Sequence, residues 1–125
     1  MPGKLISNSV KLTRHEQLTV DFLISHGKSI ELLIPGHTQG NKNPDFVMNG
    51  LLWEAKSPTT SSFDNLAVTL RRAVKQSPNV VVDIRRMKKP EKATIAFLTQ
   101  YFRHSHNLKR LIIISKTQPI IELHN

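Results

Sequence analysis

Residues 44–56 have the sequence PDFVMNGLLWEAK, in which Asn49-Gly50 separates two apolar runs. Asn-Gly between such runs is the strongest short signal for a β-hairpin, because a type I′ turn needs positive φ at both central residues. A two-residue turn also fixes the register, so that Asp45 lies opposite Glu54. Side chains alternate across a strand, so one face of the predicted hairpin is entirely apolar. The residues of this face are Phe46, Met48, Leu51, Trp53 and Ala55.

The open end of this hairpin carries two acids, Asp45 and Glu54, and one amine, Lys56. Directly opposed carboxylates have β-carbons about 5 Å apart, and their repulsion is destabilising. A divalent cation can offset that repulsion, and oxygen ligands of this kind suit Mg²⁺ or Mn²⁺. The alternative is a solvated hairpin edge at which Lys56 neutralises the two acids. The apolar opposite face favours the metal site.

The composition excludes several other classes of protein. With 125 residues and 38% hydrophobic content, the chain suits one globular domain and is too short for two. We expect residues 1–12 to be a loosely ordered N-terminal segment. Cysteine is absent, which excludes disulfides, thiolate metal sites and a thiol nucleophile. No apolar run is long enough to cross a membrane and no secretory leader is visible over residues 1–10, so a membrane partner is not expected.

The charge balance indicates an anionic partner. Lys and Arg number 18 against 9 Asp and Glu, for a net charge of +9, and they cluster at residues 71–75, 85–92 and 109–110. Such a surplus is typical of a partner with a phosphate backbone, although an anionic membrane or an acidic protein would also fit. Basic clusters beside a carboxylate metal site favour nucleic acid. We place Arg71 and Arg72 on the substrate-binding surface.

The remaining elements follow from periodicity and from capping signals. Thr13 and Glu16 form a capping box that begins a helix, which ends near Gly27. Further helices are predicted at about residues 63–76 and 91–104, and strands at 28–34, on each side of Asn49-Gly50, and at 80–84, 109–115 and 120–123. The order α-β-β-β-α-β-α-β-β predicts an α/β fold, with a mixed central sheet flanked by helices in three layers.

In this arrangement the chain resembles the PD-(D/E)xK nuclease superfamily, the restriction-endonuclease-like fold. The resemblance is carried by Glu16, Pro44-Asp45, Glu54-Ala55-Lys56 and Gln76, in the superfamily's order of helix, strand, hairpin, helix and strand. More narrowly, the chain is similar to the C-terminal toxin domains of contact-dependent growth-inhibition proteins over most of its length, from Thr13 to Leu123. The segments behind this narrower likeness are Asn43–Phe46, Asn49-Gly50, Trp53–Lys56 and Gln76–Ile84.

The resemblance implies metal-dependent cleavage of phosphodiester bonds. Asp45 and Glu54 would be carboxylate ligands of the metal, and the Ala55 carbonyl could supply a third oxygen. Mg²⁺ is the favoured ion, with Mn²⁺ or Zn²⁺ as alternatives. Lys56 would orient or deprotonate the attacking water and balance charge on the scissile phosphate.

Four further residues are weighed separately. Glu16 shares a helical stripe with apolar residues, so it would point toward the sheet and reach the metal; otherwise it serves the capping box alone. Gln76 would position substrate or water, or is a surface residue at a helix end. His37, in the loop before Asp45, is a candidate substrate contact. Asp83 lies in an apolar run, where an unpaired charge would cost free energy, so we expect a nearby Arg or Lys to pair with it.

Three functions are consistent with these observations. The first is a toxin-type metal-dependent endonuclease, with RNA and particularly tRNA favoured because of the narrower resemblance. The second is a metal-dependent DNase of restriction or resolvase type, and the third is a non-catalytic nucleic-acid-binding module. A toxin would imply a cognate immunity protein as partner and a cytoplasmic site of action, after delivery by a larger secreted protein. The oligomeric state stays open.

Overall fold

A computed structural model describes residues 1–35 and 43–125 of the chain. Its strands are β1 (Leu5–Ile6), β2 (Ile30–Leu32), β3 (Phe46–Met48), β4 (Leu51–Lys56), β5 (Asn79–Asp83), β6 (Arg110–Ile114) and β7 (Ile121–His124). Its helices are α1 (Arg14–Ser25), α2 (Phe63–Gln76) and α3 (Glu91–His104). Within the described residues the strands form one seven-stranded sheet, in the order β1 to β7.

The predicted hairpin is confirmed in turn type and in register. Asn49 and Gly50 have φ of 56° and 74°, as a type I′ turn requires. Strands β3 and β4 are antiparallel, with Phe46 paired to Trp53 and Met48 paired to Leu51. The turn therefore brings the residues just before β3 alongside the end of β4.

The second half of the sheet is built from parallel strands. Strands β4, β5 and β6 run parallel to one another, and α2 and α3 connect them in turn. The connections from β4 to β5 and from β5 to β6 both move to the next strand in the same direction across the sheet. Because such connections have the same, right-handed sense, α2 and α3 lie on the same face. The carboxyl ends of these three strands meet at one edge of the sheet, where ligand sites of α/β proteins usually lie.

The hydrophobic core is divided between the two faces of the sheet. One cluster packs Val20 and Leu23 of α1 against β2, β3, β4 and Val81 of β5. The other packs the buried residues of α2 and α3 against alternating residues of β5 and β6, including Val80 and Val82. Helices on both faces of a mixed sheet confirm the α/β class and the three layers. None of the described helices has the length and apolarity that crossing a membrane requires.

The N-terminal part of the chain differs from the prediction. Strand β1 was not predicted; it pairs in parallel with β2, and Val10 and Leu12 pack against the core, so residues 1–12 are not merely a loose segment. Strand β2 is shorter than the predicted residues 28–34. It begins only at Ile30, because the Lys28 N–H donates to the Leu23 carbonyl at the end of α1.

The turn geometry predicts the cost of one substitution. Gly50→Ala should lower the free energy of unfolding by about 1 kcal/mol, because a β-carbon is disfavoured at positive φ. Among the described residues, no heavy atom beyond Gly50 and its two chain neighbours lies within 4 Å of the position of the added β-carbon, so backbone strain alone sets the cost. Urea denaturation measures it, with Asn49→Gly as the matched control that should be nearly neutral. A neutral Gly50→Ala variant would contradict the type I′ assignment.

Candidate active site

The backbone holds Asp45 in place immediately before β3. Its N–H donates to the Trp53 carbonyl at 2.8 Å, and its carbonyl accepts from the Leu33 N–H at 3.1 Å. Its side-chain Oδ2 accepts a hydrogen bond from the Ala55 N–H at 2.8 Å. The Asp45 carboxylate therefore lies against the end of β4.

Glu54 places a carboxylate in the interior of the protein. The residue is only 5% exposed, and its Oε2 lies 3.1 Å from Nζ of Lys56. Its Oε1 is the one buried side-chain oxygen or nitrogen in residues 1–35 and 43–125 that has no hydrogen-bond partner. Leaving such an atom unsatisfied costs about 1–3 kcal/mol, so this oxygen is suited to take up a proton or a cation.

The two carboxyl groups perturb each other. Burial, and secondarily the charge of Asp45, raises the pKa of Glu54 from its ordinary 4.5 to about 7. Burial also raises the pKa of Asp45, against the opposing influence of the Ala55 N–H. The Glu54 carboxyl group lowers the pKa of Asp45, while Asp45 raises the pKa of Glu54, so of the two groups Glu54 is the one that retains a proton. Near neutral pH, Glu54 is therefore partly protonated.

A cavity opens between this pair and α1. Asp45, Ala55, Lys56 and Ser57 form one side of it, and Glu16 and Thr19 of α1 lie among the residues of the other. Glu54 does not line the cavity and contacts the lining residues Asp45 and Lys56. The cavity lining therefore includes the carboxylates of Asp45 and Glu16 and the amines of Lys11 and Lys56, with the buried carboxylate of Glu54 beside them.

Glu16 lies at this cavity, but it does not point into the core. It is exposed, whereas Thr19, Val20 and Leu23 are the buried residues of α1. Its Oε1 accepts from the Thr13 N–H at 2.8 Å, which confirms the capping box and turns the carboxylate back toward the helix start. The capping-box alternative for Glu16 is therefore confirmed, and its reach to a metal stays a prediction. Its charge still raises the pKa of Asp45.

The structure does not gather the other predicted site residues around the cavity. Gln76 lies outside it, and its Oε1 accepts from the Asn43 N–H at 2.6 Å, two residues before Asp45. Arg71 and Arg72 are exposed on α2 and do not line the cavity. His37 lies outside the described residues.

A buried ion pair ties the end of β5 to α1. Asp83 is 2% exposed and accepts from Thr19 Oγ1 at 2.7 Å. Arg85 donates to Asp83 through Nε at 2.9 Å and through Nη2 at 2.7 Å, and Nη2 also reaches the Leu18 carbonyl at 3.1 Å. The expected pairing of Asp83 with a basic residue is confirmed. The network fixes the distance between α1 and the sheet beside the cavity.

A second polar cluster, which the sequence analysis did not assign, fixes the C-terminal end of α2. Ser77 Oγ donates to the Leu52 carbonyl at 2.7 Å, and Asn79 Nδ2 donates to the same oxygen at 3.1 Å. Both residues are buried. They anchor the end of α2 and the start of β5 to β4, the strand that carries Glu54. The signal in the sequence was a pair of small polar residues around Pro78, immediately before an apolar strand.

The residues present set limits on any metal. Among the described residues, no group of three or more His, Cys, Asp or Glu is placed to hold an ion. The pair offers two carboxylates, one of them with an unsatisfied oxygen. Mg²⁺ is commonly bound through one or two carboxylates with waters and substrate phosphates, whereas structural zinc sites take four protein ligands. The donor set therefore fits Mg²⁺ or Mn²⁺ better than Zn²⁺.

Comparison with known proteins identifies the family. The model of the contact-dependent growth inhibition CdiA C-terminal domain matches residues 42–120, more than half of the 125-residue chain. The solved CdiA-CT/CdiI toxin and immunity complex from Burkholderia pseudomallei is similar with a TM-score of 0.77 and 22% identity, covering 98% of this chain and 100% of that one. At that identity the likeness shows a common fold. No curated protein matches the chain. The family match places this protein in the CdiA C-terminal domain family of contact-dependent growth inhibition.

Proposed function

We propose that this domain is a toxin that hydrolyses phosphodiester bonds of nucleic acid with a divalent metal ion, Mg²⁺ in the first place. The observation that carries the proposal is the buried Oε1 of Glu54, which lacks a partner within the described residues and lies beside Asp45 and Lys56. A divalent cation in place of the Glu54 proton would satisfy this oxygen and neutralise both acids.

Each residue of the pair region has a distinct role in the proposal. Asp45 and Glu54 would hold the ion. The Ala55 carbonyl is a third ligand candidate, because the N–H and C=O of one strand residue point to the same side, and the Ala55 N–H points to Asp45. When bound, the metal would polarise the phosphoryl oxygen and lower the pKa of the attacking water.

Lys56 and Glu16 act from the cavity wall in this proposal. The Lys56 side chain is 35% exposed, so its ammonium can pair with Glu54 and still meet a substrate phosphate. There it would orient the attacking water and balance phosphate charge. Glu16, across the cavity on α1, is placed to accept a hydrogen bond from that water or from a metal-bound one.

The arrangement supports the PD-(D/E)xK assignment as part of the proposal. The acids and the lysine lie on one hairpin, which follows a helix and precedes a helix and a parallel strand. The family match includes Asp45, Glu54, Lys56 and Gln76 and does not include Glu16. Glu16 is therefore the least supported member of the proposed catalytic set.

RNA, and tRNA in particular, is the proposed substrate. The net charge of +9 supports a nucleic acid in general, and the preference for RNA rests on the likeness to growth-inhibition toxin domains. DNA is the competing substrate, since neither the charge nor the acid pair distinguishes the two. A non-catalytic binding module would have no use for a buried carboxylate pair, which lowers stability.

We also propose an immunity protein as partner. The similar solved structure is a toxin bound to its immunity protein, and this chain covers the whole of the matched chain. An acidic inhibitor surface would complement the net charge of +9 and accelerate association. As a CdiA C-terminal domain, the protein would be delivered by a larger secreted protein and would act in the cytoplasm of the target cell.

Cleavage assays test the catalytic proposal. Total RNA, purified tRNA and plasmid DNA are incubated with the protein in Mg²⁺, in Mn²⁺ or in chelator, and products are resolved by gel electrophoresis. Asp45→Asn and Lys56→Ala should each slow cleavage at least about hundredfold, because they remove a metal ligand and the group that orients the water. Chelator should abolish cleavage by the wild type.

Asp21→Asn is the matched control for these variants. Asp21 is exposed on α1 and accepts a hydrogen bond from Gln17, which an asparagine carbonyl can also accept. This variant should cleave at the wild-type rate. Full activity of folded Asp45→Asn, or cleavage that persists in chelator, would contradict the proposed site.

The raised pKa of Glu54 predicts a pH-dependent stability of the metal-free protein. Folded Glu54 keeps a proton up to about pH 7 that the unfolded chain releases near 4.5. The stabilisation that comes from this retained proton is therefore lost as the pH rises from about 4.5 to about 7. The free energy of unfolding falls by up to about 3 kcal/mol over this range. Relative to Glu54→Gln, the wild type should become progressively less stable from pH 4.5 to pH 8. Urea denaturation of both proteins in chelator measures this difference.

Metal should reverse the effect. At pH 8, Mg²⁺ should raise the free energy of unfolding of the wild type, because it binds only the folded pair. The same addition should leave Glu54→Gln nearly unchanged. A stability difference between the two proteins that is constant with pH would mean that Glu54 is not perturbed by burial.

A further inference from the structure

We propose that Arg86 binds the phosphate next to the scissile phosphate of the nucleic acid, in a second cavity adjacent to the active site. This inference rests on the proposed nuclease function and names a substrate contact that the sequence did not assign. It concerns binding, so it can be tested without any cleavage.

The second cavity shares the lining residue Ser57 with the first. It is lined by His15, Leu18, Ser57, Asp83, Arg85 and Arg86. Ser57 lines both cavities and directly follows Lys56. A strand of nucleic acid with its scissile phosphate at Lys56 would therefore pass the second cavity with a neighbouring phosphate.

One nitrogen of the Arg86 guanidinium is bonded to Ser57, which lines the same cavity. Nη1 donates to the Ser57 carbonyl at 3.2 Å and to Ser57 Oγ at 3.4 Å. Nε and Nη2 donate no hydrogen bond to the part of the chain that the structure describes. These two groups form the planar fork that binds phosphate oxygens in a bidentate manner.

The acid that lines the same cavity does not neutralise this guanidinium. Asp83 lines the same cavity, but both of its oxygens are engaged, by Thr19 and by the bidentate Arg85. In residues 1–35 and 43–125, Arg86 forms no ion pair. The half-buried Arg86 thus contributes an uncompensated positive charge to the cavity.

The topology extends this charge into a row. Lys56 ends β4, Arg86 follows the end of β5 and Lys116 follows the end of β6, whereas Arg85 is already paired with Asp83. Because these three strands are parallel, their carboxyl ends share one edge of the sheet, with neighbouring strands about 4.8 Å apart. A row of cations fits a chain of phosphates better than it fits a single small anion.

Binding measurements separate this role from a structural one. In an Asp45→Asn background, and in chelator to prevent cleavage, fluorescence anisotropy measures the affinity for labelled single-stranded RNA and DNA oligonucleotides between 50 and 200 mM salt. Arg86→Gln should weaken binding about tenfold at low salt. It should also reduce the slope of log affinity against log salt by about 0.7, the value for one phosphate contact on a single strand.

Two further variants complete the test. Arg86→Lys keeps the charge and loses the fork, so it should retain the salt slope and lose part of the affinity. Arg103→Gln removes the same charge from an exposed position on α3 and should leave affinity and slope nearly unchanged. Thermal unfolding of each variant reports whether the Ser57 contact matters for stability.

Each outcome decides the inference. If Arg86→Gln and Arg103→Gln behave alike, or if Arg86→Gln lowers only thermal stability and leaves the slope intact, the phosphate contact is disproved. If the wild type cleaves nucleic acid and Arg86→Gln binds normally, the nuclease proposal survives and this inference fails. If no nucleic acid is cleaved but the slope falls as expected, the nuclease proposal fails and the phosphate site stands.

Discussion

The hydrogen bond from the Ala55 N–H to Asp45 Oδ2 holds two acids together at the open end of one hairpin. This bond keeps the Asp45 carboxylate against the end of β4, beside Glu54. The backbone bonds of Asp45 to Trp53 and Leu33 leave the residue little freedom to move away. Backbone hydrogen bonds therefore hold together a carboxylate pair whose mutual repulsion the single ammonium of Lys56 offsets only in part.

The surrounding structure stabilises this arrangement from both sides of β4. Ser77 and Asn79 anchor the strand to the end of α2, and Asp83 with Arg85 anchors α1 across the cavity. These polar contacts are buried and well paired, so they can offset the cost of the unsatisfied Glu54 oxygen. The Asp45–Glu54 pair is itself destabilising in the metal-free protein, as expected of a site that functions with a bound ion.

The sequence predicted the hairpin well, because turn type, register and alternation are local properties. It placed Asp45, Glu54 and Lys56 at the open end of the hairpin for the same reason, since a two-residue turn fixes which side chains are opposed. Glu16 could not be placed from a helical wheel, because the capping bond to Thr13 competes with the inward direction. Arg86 was not singled out from its basic cluster, because the contact proposed for it depends on the parallel strand ends, which bring residues distant in sequence to one edge. Strand β1 has two residues, too few for any periodic signal.

The titration of the Glu54 carboxyl group tests this account most directly. Carbon-detected NMR of the metal-free protein, labelled at glutamate side chains, should show Glu54 titrating at a pKa of about 7. Addition of Mg²⁺ should lower that pKa, because the ion competes with the proton for the same oxygens. A Glu54 pKa near 4.5 that does not respond to Mg²⁺ would contradict a buried carboxylate pair poised for metal binding.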